Sequence, residues 1–185
     1  MLCEGLRRVV VISDCHFGDA GALLARRGLA DRLITELDRI GDIDMLVLLG
    51  DVWDLWSAGF AAAAGAGAPF FRSLASWGSP REFVLVAGNH DYHLWTACED
   101  RRMRRELGWE EVEGLSLGLD GSCASGERVC LVESLPLWMH YPLLSIEVGR
   151  RSLLLMHGHH LDFFSRSFWW AKTAWLARGI LGRSR

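Results

Sequence analysis

The run Met45-Leu46-Val47-Leu48-Leu49 is apolar throughout and gives way at Gly50-Asp51 to a glycine and a carboxylate. A short, continuous apolar run of this kind is the pattern of a strand buried on both faces, and the glycine lets the chain turn sharply out of it. Three other runs have the same form. Arg8-Val9-Val10-Val11-Ile12-Ser13 stops at Asp14, Glu82-Phe83-Val84-Leu85-Val86-Ala87 stops at Gly88, and Leu153-Leu154-Leu155-Met156 stops at His157. Between the runs that end at Asp14 and Asp51, residues 21–40 carry Leu23, Leu24, Leu29, Leu33, Ile34 and Leu37 near helical spacing, which predicts a crossover helix. The Ala and Gly of residues 59–67 are expected to form a helix start and loop, and the charged residues 101–113 a solvated helix. Glycines and serines over 117–127 predict loops, with strands to follow at 129–132 and 143–148. Helices that alternate with strands early, and strands that gather late, predict a layered α/β domain. Ligands in such folds collect where the carboxyl ends of strands meet, and all four polar clusters lie at such ends.

With 185 residues, half of them apolar, the chain can close one well-filled core. Residues 1–164 are expected to form it, leaving 165–185 as a helical tail or the start of a cap. The formal charge of −3 lacks the basic surplus of nucleic-acid binders, so nucleic acid is not an expected partner. Five cysteines, none at CxxC spacing, fit reduced thiols in a cytoplasmic protein. The first eight residues lack the apolar region of a secretory signal, and no apolar stretch approaches a bilayer-spanning length.

The clusters supply metal-ligating atoms. Asp14 and His16, one residue apart, project to one side if the backbone stays extended. Asp51 can bridge two ions, one oxygen to each. Gly88-Asn89-His90-Asp91 sets an amide oxygen beside an imidazole, and His157-Gly158-His159-His160 adds a nitrogen ligand. Hard oxygen donors mixed with imidazole suit Mn²⁺, Fe or Zn²⁺ better than Ca²⁺ or a thiolate-bound metal. His93 and His140 are read as ordinary surface or core residues, Asp54 as a capping or supporting residue, and Asp19 as a cap for the following helix.

Asp14-x-His16, Gly50-Asp51-x-x-Asp54, Gly88-Asn89-His90-Asp91 and His157-Gly158, in this order, resemble the successive signatures of the calcineurin-like metallophosphoesterase family. The resemblance implies a layered fold with a central β-sandwich flanked by helices, and hydrolysis of a phosphate ester or diphosphate bond by two divalent cations, Mn²⁺ first among them. Asp14 and His16 would hold the first metal, Asp51 would bridge, and Asn89 and His157 would hold the second. His90 would stabilise the phosphoryl oxygens or protonate the leaving group, with Asp91 orienting its ring.

The family's last signature, Gly-His-x-His, gives each metal a nitrogen ligand, and no such motif follows His160. The expectation is a chain shortened of its carboxyl-terminal strands. The alternatives are substitution by His159 or His160, or a metal-poor member that acts as a protein-binding scaffold. Residues 165–185 set Phe168, Trp169, Trp170 and Trp175 among Arg166, Lys172, Arg178, Arg183 and Arg185, a composition that suits packing as a cap helix or peripheral contact with a membrane. In wording, Ser13-Asp14-Cys15-His16, Gly50-Asp51-Val52-Trp53-Asp54-Leu55-Trp56 and His157-Gly158-His159-His160-Leu161-Asp162 are similar to the branch of UDP-2,3-diacylglucosamine diphosphatases. That likeness implies a phosphorylated small-molecule or lipid-linked substrate.

Overall fold

The computed structural model describes residues 5–106, 118–123, 126–130 and 135–159. The chain runs β1 (Val9–Ile12), a 3-10 turn (Leu23–Ala25), α1 (Leu29–Ile40), β2 (Met45–Leu49), α2 (Phe60–Ser76), β3 (Glu82–Val86), α3 (Tyr92–Glu106), β4 (Gly118–Cys123), β5 (Gly126–Cys130), β6 (Pro136–His140), β7 (Leu143–Val148) and β8 (Arg151–Met156). Six strands form one sheet in the order β1-β2-β3-β6-β5-β4, and β7 and β8 form a second. Strands β1, β2, β3 and β6 are parallel, while β5 and β4 continue the sheet antiparallel.

Alternation along the strands divides the interior in two. Leu46, Leu48, Phe83, Leu85, Leu137 and Met139 face a core shared with Ala30 and Leu37 of α1, Ala63, Phe70, Phe71 and Leu74 of α2, and Leu94 and Cys98 of α3. Met45, Val47, Val84 and Val86 face the opposite way, onto Leu144 and Ile146 of β7. Helices therefore cover one face of the large sheet and the β7–β8 hairpin covers the other, which explains why β2 and β3 read as unbroken apolar runs. The layered α/β fold expected from the sequence is the one observed.

Four local expectations need correction. The crossover helix begins at Leu29, eight residues later than expected, because Gly28 sits at φ 78° and sets off the turn before it. The Ala-Gly run lies inside α2 rather than in a loop, its small side chains letting the helix press Ala63 and Gly67 into the core. Strand β4 occupies part of the stretch assigned to loops, held by antiparallel pairing to β5. Strand β6 lies where the sequence reading placed no element; Pro136 is its first residue, where a missing N–H costs little.

Candidate metal centre

The loops that leave β1 and β2 are joined by backbone hydrogen bonds. Asp14 N donates to Gly50 O (3.1 Å), His16 N to Asp51 O (2.9 Å), Phe17 N to Val52 O (2.8 Å) and Asp54 N to Phe17 O (2.8 Å). Phe17 and Trp53, both wholly buried, pin these loops against α2, with Trp53 stacked on Phe71 at 5.2 Å. Asp14, His16 and Asp51 sit at φ 56°, 50° and 51°, and they are the non-glycine residues of positive φ in the described chain. Such conformations cost roughly 1 to 3 kcal/mol each and cluster where function over-determines the backbone. The sequence expectation of an extended Asp14-Cys15-His16 is thus corrected: left-handed turns, not strand alternation, bring the two side chains together.

Two glycines make room for the site. A Cβ on Gly50 would fall within the His157 ring, and one on Gly88 would strike the Asp51 carboxylate. The Gly50-Asp51 and Gly88-Asn89 steps are therefore steric requirements of the cluster as well as turn signals.

Buried Asp51 lies at the centre, its Oδ2 3.9 Å from His16 Nε2, 4.0 Å from His90 Nε2 and 3.6 Å from His157 Nε2. Asp14 Oδ1 is 3.7 Å from His16 Nε2 and 3.6 Å from His157 Nε2. Donors that share one cation at about 2.1 Å lie roughly 3 to 4.2 Å from one another, so this spacing suits a cation between them. His16, Asp51 and His90 form one such group, and Asp14, Asp51 and His157 another. Asp14 is as near to His157 as to His16. Asn89 is half-buried beside this cluster, between Gly88 and His90, whose N–H donates to Asp51 Oδ1 at 2.9 Å.

Burial pushes the Asp14 carboxyl up, but a hydrogen bond from Ser13 and the neighbouring His157 and His16 outweigh it and hold the group below the usual carboxylate range. Burial, with Asp14 and Asp91 nearby, pushes the Cys15 thiol up to about 12. The cluster therefore presents carboxylates and imidazoles rather than a thiolate, a donor set suited to hard or borderline divalent ions.

The carboxylate that orients His90 is that of Asp54. His90 Nδ1 lies 2.8 Å from Asp54 Oδ1. Asp54 also accepts from the N–H groups of Trp56 and Ser57 and, through Oδ2, from the Ser57 hydroxyl at 2.7 Å. Burial raises its pKa, yet the bonds from His90 and Ser57 prevail and bring it to about 2. An ionised Asp54 can only accept, so His90 Nδ1 carries the proton and Nε2 faces Asp51. Asp91, assigned this role from the sequence, is elsewhere: its oxygens accept from the N–H groups of Gly88 (2.7 Å), Val52 (2.7 Å) and Trp53 (3.3 Å). It ties the loop after β3 to the loop after β2, and complete burial pushes its pKa up.

His90 is also packed by rings. Trp56 stacks on it at 4.0 Å, and His16 meets it edge-on at 4.9 Å. Nothing in the sequence marks the Trp56 stack, whereas the capping or supporting role expected of Asp54 is the one its bonds to Ser57 and His90 give it. His93 is exposed on α3 and His140 is buried at the end of β6. Asp19 caps no helix; its Oδ1 accepts Gly21 N at 2.6 Å in a local turn. His159 Nδ1 is 3.3 Å from His157 Nδ1, while His160 and the tail at 165–185 lie outside the described residues.

Carboxylates and imidazoles gathered at the strand ends of a layered α/β fold make a candidate metal centre. The family model of the calcineurin-like phosphoesterases matches residues 7–178, and the chain belongs to that family. Its class of activity is accordingly metal-dependent phosphoester hydrolysis. Among curated proteins no relative matches the chain. Among the described residues no helix is long and apolar enough to cross a membrane.

Proposed function

We propose that this chain hydrolyses a phosphate ester or diphosphate bond with two divalent cations, Mn²⁺ first among them, held by Asp14, His16, Asp51, Asn89 and His157. The observation that carries the reading is the buried Asp51 oxygen within 4.0 Å of three imidazoles, with Asp14 beside two of them. The cations would supply positive charge to the phosphoryl group and a water acidified enough to attack near neutral pH. His90 faces the same centre through Nε2. Protonated there, it would hand its proton to the departing oxygen, and the Asp54 carboxylate would stabilise the imidazolium and fix its ring. Asp91 acts one step back, holding the Gly88-Asn89-His90 loop against Val52 and Trp53.

The substrate proposed is a phosphorylated small molecule or a lipid-linked diphosphate. Its support is the likeness in wording to UDP-2,3-diacylglucosamine diphosphatases at three short segments, residues 13–16, 50–56 and 157–162. Hydrolysis of p-nitrophenyl phosphate with added Mn²⁺ tests the reaction. Asp51→Ala should lose at least about 100-fold in rate, and equal rates in the two proteins would leave the protein-binding scaffold in place of the enzyme.

A further inference from the structure

Beside the metal centre lies a cavity of about 630 Å³, within the range of small-molecule sites. Its floor is chemistry: Ser13, Asp14, His16, Asp54 and His90 line it. Another part of its lining is different in kind, made of Ala22, Leu23 and Leu24 where the chain enters the 3-10 turn. Leu23 is 60% exposed there, a large apolar side chain turned to solvent a few residues from a polar site. Asp19 also lines the cavity, and no Lys or Arg does so among the described residues. A second anionic group at that end would meet carboxylate without a cation from the protein to offset it. An uncharged, apolar group would instead cover Leu23 and Leu24 and remove their surface from water.

We infer that the Ala22–Leu24 wall is a specificity-determining subsite for the alkyl portion of the substrate, seated beside a phosphoryl group at Asp14, His16 and His90. The inference rests on the phosphoester reading for what occupies the floor, and its location rests on Ala22, Leu23 and Leu24. It is also a different surface from the strand tips that hold the metals. Leu23 and Leu24 would act on binding, with no part in the bond-breaking step.

Calorimetric binding of ethyl-, hexyl- and decylphosphonate to the Mn²⁺-loaded full chain tests it without requiring turnover. Wild type should tighten by roughly twofold per added methylene, the effect of partly burying each group. Leu23→Asp should flatten that dependence, leaving ethylphosphonate affinity within twofold of wild type. Ile40→Asp, at an exposed residue of α1 that does not line the cavity, should retain the full dependence. Absence of chain-length dependence in wild type, or an equal dependence in Leu23→Asp, would overturn the proposal. Phenyl phosphate turnover by the same preparations separates the two ideas: chain-length dependence without turnover would sink the hydrolase and leave the apolar wall standing.

Discussion

At the scale of single residues, His90 is held by three neighbours of different chemistry: a carboxylate at Nδ1, an indole on its face and a second imidazole at its edge. Asp54→Asn keeps the volume but replaces the charged acceptor with an amide, so the imidazolium form loses its stabilising partner. Its kcat on p-nitrophenyl phosphate should fall by about 10- to 100-fold, with bound metal per chain unchanged from wild type. Trp56→Ala removes only the stack; Trp56 is 64% exposed, so the fold should persist. A several-fold drop in kcat, restored by Trp56→Phe, is expected from steady-state kinetics, while a loss confined to KM would instead make the indole a substrate contact. These residues mark the boundary of what sequence could reveal. Asp14, His16, Asp51 and His157, which the fold brings together, each stand where an apolar run ends, and that made them visible in the sequence. The partner of His90 was not, because Asp54 and Asp91 are both carboxylates within reach in sequence, and only the loop geometry separates them.

At the scale of elements, the site depends on how loops leave the strands. Asp44, just before β2, accepts the N–H groups of Arg7 (2.8 Å) and Arg8 (3.0 Å) and so fixes the entry to β1 against β2. Those two donors, with Arg81 nearby, hold its carboxyl below the usual range, against a small upward push from burial. A depressed carboxyl contributes stability that is present above the unfolded value of 3.8 and lost as the pH falls below it. Asp44→Ala should therefore cost about 1 kcal/mol at pH 7 by urea unfolding, and the gap between mutant and wild type should close in acid. Gly88→Ala places a methyl against Asp51, so far-ultraviolet dichroism should be retained while metal binding is lost. Helix α1 and strands β1, β2 and β3 were readable from periodicity alone. Strands β4 and β6 were not: β4 pairs with the adjacent β5 but its Gly118-Leu119-Asp120-Gly121-Ser122-Cys123 sequence has the composition of a loop, and β6 is placed by pairing with the distant β3, which leaves little mark on local sequence.

At the scale of the molecule, a mixed sheet with four parallel strands, layered between three helices and a hairpin, brings four separate strand ends to one place. The fold class was legible because β2 and β3 lie between two cores and must be apolar on both faces. The cluster was legible in membership but not in arrangement, since positive φ at Asp14, His16 and Asp51 cannot be read from residue order. The claim on which the rest depends is that Asp14, Asp51 and His157 act together on shared cations. Metal content per chain after equilibration with Mn²⁺ and gel filtration, measured for wild type, Asp51→Ala, His157→Ala and His93→Ala, tests it most directly. Two equivalents in wild type and His93→Ala, with one or none in the other two, is the result the proposed function predicts; equal metal in all four proteins would contradict it.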